Sequence, residues 1–215
     1  MPSTFKPRLA PPSPLARPSR VVELPIREPD AALVAALRAG RSDASTVLFD
    51  RYGGEVERVL YRILGPDSEI KDLLQDVFVA ALGSLDKLRD PDALRGWLTS
   101  IAVRKARKCI LRRQRWRFIQ LWPVAELPER EAPATPPEVS EALRCTYAVL
   151  ARMPADERVA FALRFVAGME LTTVAAACEV SLATIKRRLS RAQVTFTDLA
   201  SQHPVLSDWL AGGTP

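Results

Sequence analysis

Basic and aromatic residues are concentrated in one stretch near the middle of the chain. Eight cations lie within fourteen positions: Arg104, Lys105, Arg107, Lys108, Arg112, Arg113, Arg115 and Arg117. No acidic residue occurs between Asp92 and Glu126, although a solvated helix usually mixes both signs because like charges one turn apart repel. Trp97, Trp116 and Phe118 lie among these cations and are suited to stacking on exposed bases. This composition favours binding to a polyanion, and the alternative is a soluble helix that happens to be basic.

A second group of candidate functional residues is acidic. Asp72 and Asp76 are four positions apart in a predicted helix, so both carboxylates lie on one face with Gln75 beside them. Two carboxylates could in principle hold a divalent metal, but Lys71 is adjacent and no third carboxylate is suitably spaced. A basic partner protein that docks on this face is the better interpretation.

The remaining residue types argue against enzyme chemistry. Cys109, Cys145 and Cys178 are widely separated, and His203 is the only histidine, so a structural zinc site of four clustered ligands is not expected. No glycine-rich phosphate loop occurs, and no Ser, Cys or His has the context of a nucleophile. We therefore expect no catalysis, no metal, no cofactor and cysteines that stay reduced.

Charge and hydropathy limit the partners and the location. The net charge is +6 and the pI about 9.6, which suits nucleic acid or another anionic surface. The apolar runs are too short to span a bilayer, and no apolar segment follows Lys6 and Arg8 as a secretion signal requires. The sequence thus predicts a cytoplasmic protein that does not enter a membrane.

The elements that must position these residues are helices. Residues 1–29 are rich in proline and predict a disordered tail. Asp30 can then cap a helix that Gly40 ends. A further helix carries Val47 on its inner side and should break or bend at Gly53-Gly54. It resumes over 55–64, with a buried stripe of Val56, Val59, Leu60, Ile63 and Leu64, and stops at Gly65-Pro66.

Two more helices complete the predicted first domain, residues 30–120. One begins at Asp67 or Ser68 and buries Ile70, Leu73, Leu74, Val77, Phe78, Ala81 and Leu82. Its successor buries Leu94, Leu98 and Ile101 before it becomes basic. Residues 121–138 are acidic and proline-rich, which indicates a flexible linker and a domain boundary.

The second domain spans residues 139–202 and is followed by a tail, 203–215. Its first helix should turn Leu143, Tyr147 and Leu150 inward, and Asp156 should cap the next. A short helix through Val174 then ends at Cys178, and Ser181 can cap a final helix that buries Ile185 and Leu189. This layout is typical of a helix-turn-helix, whose second helix enters the DNA major groove. An ordinary helical hairpin is the alternative.

Both halves of the chain resemble one known family, the bacterial sigma factors of the extracytoplasmic-function type. Residues 72–102, DLLQDVFVAALGSLDKLRDPDALRGWLTSIA, are similar to their region 2, and residues 150–193 are similar to their region 4. The resemblance implies an all-α fold in which a region 2 helical bundle and a region 4 helix-turn-helix are joined by the flexible linker. The implied function is to bind core RNA polymerase and direct it to promoters.

The resemblance also assigns roles to residues. Asp72, Gln75 and Asp76 would dock on the clamp coiled coil of the largest polymerase subunit, and region 4 would contact the flap of the second. Residues for recognising and melting the minus-ten element would be Arg95, Trp97, Arg104, Lys105, Lys108, Arg112 and Arg113. Residues for the minus-thirty-five element would be Ser181, Ala183, Thr184, Lys186, Arg187, Arg188 and Arg191. An anti-sigma factor is a further partner that the family suggests.

The sequence departs from the family pattern at three places. Val103-Arg104 replaces Arg-Asn, Lys108 replaces an aspartate, and Glu179 replaces the glycine of the helix-turn-helix turn. A glutamate there costs about 1 kcal/mol if the turn needs a left-handed backbone. Two other functions compete with a sigma factor: a free-standing helix-turn-helix regulator, and a metal-dependent nuclease that would use the Asp72 and Asp76 carboxylates.

Overall fold

The computed structural model describes residues 29–119 and 137–207, and within these it contains helices and no strands. The helices are α1 Asp30–Arg38, α2 Ser42–Leu64, α3 Ile70–Leu82, α4 Leu94–Ile119, α5 Pro137–Arg152, α6 Ala155–Phe161, α7 Leu171–Ala177 and α8 Leu182–Ala200. Short 3-10 turns at Leu85–Lys87 and Pro91–Ala93 join α3 to α4, and a π-helical turn, Ala162–Val166, extends α6. None of these helices is long and apolar enough to cross a bilayer. The all-α prediction is confirmed, whereas the predicted linker and tails lie largely outside the described residues.

The N-terminal domain, α1–α4, is built around α2. The predicted stripe of α2 is buried at every position, and it packs against α3 and α4. Gly65 ends α2 with φ +81°, a backbone conformation that glycine adopts without strain, as the Gly65-Pro66 pair predicted. Helical periodicity therefore identified the inner faces that hold the predicted interface residues in place.

Several local predictions for this domain are wrong. Helix α3 begins at Ile70 rather than at Asp67 or Ser68, and Leu82, predicted to be buried, is 43% exposed at its end. Helix α2 runs without interruption through Gly53-Gly54, because buried Tyr52 and Val56 on either side hold it in the core at a cost of about 1 kcal/mol per glycine. Val47 is exposed rather than inward. Asp30 is the first residue of α1 and not its cap; its carboxylate instead accepts hydrogen bonds from Arg51 and Tyr52.

The C-terminal domain, α5–α8, confirms the helix-turn-helix and corrects two details. The Ser181 hydroxyl oxygen accepts the Thr184 backbone N–H at 3.2 Å and caps α8 as predicted. Leu143 is exposed, unlike the inward Tyr147 and Leu150. Asp156 lies one residue inside α6, whose cap position is Pro154, and its carboxylate pairs with arginines rather than with the helix N-terminus.

The two domains pack against each other, which helical periodicity could not predict. One continuous apolar core contains residues of α2 and α4 together with residues of α6, α7 and α8, among them Ala106, Val159 and Val174. Helix α4 contacts both α6 and α7, and the π-helical turn contacts α2. The face of α4 that bears the cations is therefore partly covered by the C-terminal domain.

Candidate polymerase and nucleic-acid interfaces

The outer face of α3 is free to bind a partner. Asp72, Gln75 and Asp76 are all exposed there, while Leu73 and Phe78 are buried on the opposite face, as expected from their spacing. Val79, one turn beyond Gln75 and Asp76, is 63% exposed. An exposed apolar side chain at the edge of an acidic face is typical of a docking surface for a protein with basic and apolar residues.

Ion pairing leaves this face available. The Lys105 ammonium lies 3.2 Å from the Asp76 carboxylate, but that carboxylate side chain is 61% exposed. Such exposed pairs contribute about 0–1 kcal/mol and can be exchanged for a partner's cations. No group of three or more metal-ligating side chains gathers anywhere in the described part of the chain, so the structure offers the carboxylates no third ligand for a nuclease metal.

The exposed surface of α4 bears the cations predicted to contact the minus-ten element. Arg95 donates to both carboxylate oxygens of Glu55 at 2.6 and 2.8 Å, and Arg104 pairs with Glu179. Lys108 is exposed and forms no ion pair with any described residue. Trp97 is only half-buried and packs against the core, so part of its side chain remains accessible to a base.

The far end of α4 is tied to the turn between α2 and α3. Arg113 donates to Asp67 and pairs with Glu69 at 3.0 Å, and Arg112 also pairs with Glu69. The Asp67 side chain is only 5% exposed. Burial is the largest single influence and would raise the pKa of Asp67. The hydrogen bonds from Arg113 and from the Glu69 backbone, together with the charges of Arg113 and Arg158, outweigh it, so the pKa is lowered. Arg113 thus orders the domain, and its predicted DNA contact stays a prediction.

A basic groove runs along the second half of α4. It has a volume of about 620 Å³ and is lined by Arg104, Arg107, Lys108, Leu111, Arg112, Arg115 and Trp116. The Trp116 side chain at its end is 57% exposed. Cations that flank an exposed indole match the chemistry of single-stranded nucleic acid, since phosphates bind the charges and bases stack on the ring.

The recognition-helix residues fall into two groups. Lys186 and Arg187 are exposed and form no ion pair with other described residues, and Ser181 and Ala183 are exposed beside them at the start of α8. Arg188 and Arg191 instead pair with Asp156 at 3.1 Å and Glu157 at 3.6 Å on α6, and the Arg188 side chain is only 19% exposed. Buried Ile185, Leu189 and Ala192 fix which side of α8 faces outward.

In the turn between α7 and α8, the backbone at Glu179 is left-handed, the conformation that a glycine adopts most easily. Glu179 has φ +55°, and no other non-glycine residue has a positive φ in the described part of the chain. The predicted cost of a left-handed glutamate is therefore present. Sequence reasoning did not find the residues that join the domains, Asp156, Arg158 and Glu179; the glutamate in place of glycine was the one available signal.

Comparisons with known proteins agree with this architecture. A family model for sigma-70 region 2 matches residues 48–117, and one for sigma-70 region 4 matches residues 143–193. The ECF RNA polymerase sigma-E factor of Escherichia coli K12 is 25% identical over 173 residues, covering 76% of this chain and 90% of its own length. The Haemophilus influenzae factor of the same name is also 25% identical, covering 76% and 91%.

Two solved structures share the fold. CnrH, solved with the cytosolic domain of CnrY, aligns with a TM-score of 0.55 at 24% identity, over 82% of this chain and 99% of its own. The sigma factor RpoE of Bartonella quintana, solved with the anti-sigma factor NepR, has a TM-score of 0.52 at 21% identity, over 72% and 94%. The two family models match in the predicted order, one in each helical domain. The chain therefore belongs to the sigma-70 family, as an extracytoplasmic-function sigma factor that directs transcription initiation.

Proposed function

We propose that the outer face of α3 is the surface by which this sigma factor binds core RNA polymerase, through the clamp coiled coil of the largest subunit. The observation that supports this most directly is the exposure of Asp72, Gln75 and Asp76 on one face, beside exposed Val79. The inner face of α3 packs on the core, and the outer side chains contribute only the exposed pair of Asp76 with Lys105. The C-terminal domain would add a contact to the flap of the second subunit.

The basic groove of α4 is proposed to bind the minus-ten element as it melts. Its cations would bind the phosphates of the non-template strand, and Trp116 and half-buried Trp97 would stack on unpaired bases. The exposed start of α8 would recognise the minus-thirty-five element in the major groove, with Lys186 and Arg187 nearest the DNA. The protein would act in the cytoplasm without catalysis. The anti-sigma factor NepR, bound to RpoE in one of the solved structures, supports a similar partner here.

Run-off transcription tests the whole assignment. Core polymerase is incubated with genomic DNA fragments with and without the protein, and new transcripts with defined starts are expected only when the protein is present. A free-standing regulator would instead change the output of a polymerase that already contains another sigma factor. Transcripts that depend on that second factor would refute the proposal.

Single substitutions separate the polymerase surface from the DNA surface. Asp76→Arg should weaken binding to core polymerase, whereas Asp50→Arg, the same charge reversal at an exposed site of α2, should not. Arg187→Ala should lower the salt dependence of DNA binding by about one phosphate contact. Arg144→Ala, at an exposed site of α5, is the control and should leave that dependence unchanged. Polymerase affinity that is equal for both aspartate variants would contradict the α3 assignment.

A further inference from the structure

We propose that residues 21–27 of this chain, VVELPIR, dock on the apolar end of the outer face of α3 and compete there with core RNA polymerase. The competition rests on the proposed role of that face in polymerase binding, whereas the docking does not. The segment lies outside the described residues and ends two positions before Pro29, where the described chain begins.

An apolar patch, formed by Phe49, Val79 and Leu82, is exposed where α3 packs against α2. The rings of Phe49 and Phe78 have their centroids 5.0 Å apart, yet Phe49 is 46% exposed. Leu82 lies one turn after Phe78 and one turn after Val79, and these two apolar residues of α3 are 43% and 63% exposed. Large apolar side chains that are exposed together are typical of a site at which another chain segment binds.

Carboxylates border the apolar patch on the same face of α3. Asp76 lies one turn before Val79, Asp72 lies one turn before Asp76, and both acids are exposed. A segment that covers this surface therefore needs apolar side chains next to cations. Residues 20–27 have that composition, since the apolar run 21–26 carries an arginine at each end, Arg20 and Arg27.

The spacing within the segment suits one-sided docking. In an extended segment alternate side chains lie on the same side, and Val22, Leu24 and Ile26 recur at every second position. Glu23, the only acid in residues 1–27, falls on the opposite side. Pro25 disfavours a helix because its ring fixes φ and its nitrogen donates no hydrogen bond. The three apolar side chains would span about 13 Å, which fits a patch on two helices with axes about 8–10 Å apart.

The segment is attached close enough to reach the apolar patch. The Asp30 carboxylate accepts hydrogen bonds from Arg51 at 2.9 Å and from Tyr52 at 2.5 Å, two and three positions after Phe49 on α2. The path from Asp30 to the patch is therefore at most about half the circumference of one helix, which is under about 20 Å. The chain from Val22 to Pro29 extends up to about 23 Å, so the segment can cover the patch without moving α1.

The covalent connection makes even weak docking effective. A short tether gives the segment an effective concentration of about 1 mM at the patch. A segment that binds with a dissociation constant of about 0.1 mM would then cover the patch in roughly nine molecules of ten. Because polymerase binds only the uncovered molecules, its apparent affinity would be about tenfold weaker than for a chain without the segment.

Photo-crosslinking of the full chain in the absence of polymerase tests the docking. Val79→p-benzoylphenylalanine places a photoreactive ring at the apolar patch, and trypsin releases residues 21–27 as one peptide because it cleaves after Arg20 and Arg27. That peptide should be the main one crosslinked. Val194→p-benzoylphenylalanine is the matched control, since Val194 on α8 is 61% exposed and Val79 is 63% exposed. Equal yields of this crosslink from both positions would refute the docking.

An equal mixture of isotope-labelled and unlabelled chains identifies which copy supplies the segment. Docking within one chain gives crosslinked peptides that are either fully labelled or unlabelled. Crosslinks that join a labelled peptide to an unlabelled one would show that a second copy covers the patch, and would overturn the proposal.

A substitution within the segment tests the competition. Leu24→Ser removes the central apolar side chain, so it should lower the crosslink yield and tighten binding to core polymerase about tenfold. Leu15→Ser, the same change outside the apolar run, should alter neither measurement. Equal polymerase affinity for the two variants would refute the competition. If the crosslink forms but Asp76→Arg binds polymerase as the wild type does, the proposed function alone is contradicted.

Discussion

Replacing Arg158 with methionine tests how strongly the two domains hold each other. Methionine keeps a straight side chain of similar length but donates no hydrogen bond. The carbonyls of Ile63 and Leu64, which accept hydrogen bonds from Arg158, would lose their charged donor while the two domains are packed together, whereas water would hydrate both carbonyls if the domains separated. The substitution therefore destabilises contact between the domains more than the fold of either one.

The size of the effect follows from the two hydrogen bonds. Each bond to a charged group contributes about 1.5–3 kcal/mol, and the dipole of α2 adds about 0.5 kcal/mol. Desolvation of the guanidinium opposes these gains by several kcal/mol, so the net loss on substitution is about 3 kcal/mol. The ratio of molecules with packed domains to molecules with separated domains should then fall roughly 100-fold.

Small-angle X-ray scattering of the free protein measures this change, and a larger radius of gyration is expected for Arg158→Met. Arg164→Met is the control, because Arg164 donates to the Met169 carbonyl at 2.8 Å within its own domain. That control should lower the melting temperature of the C-terminal domain without changing the radius. If Arg158→Met leaves the radius of gyration equal to that of the wild type and of the control, Arg158 does not determine how the two domains pack.

Three further predictions concern single residues. Asp67→Asn should lower the unfolding free energy of the N-terminal domain by about 2 kcal/mol at pH 7, since Arg113 loses its buried partner. Folding lowers the pKa of Asp67, so this difference between variant and wild type should persist above pH 4 and disappear in melts at lower pH. Gly65→Ala should lower the unfolding free energy by at least about 1 kcal/mol, because alanine is strained at this positive φ. The new methyl would also lie 2.6 Å from the Tyr147 ring, so adding Tyr147→Ala should recover only the part of the loss that this clash causes. Ser181→Ala should lower the stability of the C-terminal domain by about 1 kcal/mol in calorimetry, since the Thr184 N–H loses its acceptor; an unchanged melt would rule out the cap.

The helices could be predicted from the sequence because the apolar residues on the inner face of each helix recur every three or four positions. The stripe of α2 from Val56 to Leu64 is buried as predicted, and Ser181 caps α8. The predicted break at Gly53-Gly54 was wrong because a glycine in a helix costs only about 1 kcal/mol, which is less than the free energy gained by burying the flanking side chains. Asp30 and Asp156 were assigned as caps because an acid in the first turn of a helix looks like a cap in the sequence. Their arginine partners are 21 or more positions away, so no local pattern shows them.

The interface between the domains was beyond such reasoning. Arg158 and Ile63 are 95 residues apart, and Arg104 and Glu179 are 75 apart, so no local pattern connects them. A basic residue on a helix also gives no sign of whether it will meet water, DNA or an acid on another domain. Only Glu179 left a signal, since a glutamate in a left-handed turn requires a compensating contact.

Burial separates the arginines that hold the fold from those that can exchange partners. Arg113 and Arg158 pair with groups that are almost entirely withdrawn from water, and breaking such contacts leaves a buried charge or carbonyl unsatisfied. Arg104 and Arg107 are about half exposed, so each pair costs about 1 kcal/mol or less to break. A duplex with dense phosphates can replace those acids. The weak pairs are thus suited to exchange their partners, and the strong ones set how firmly the two domains pack together.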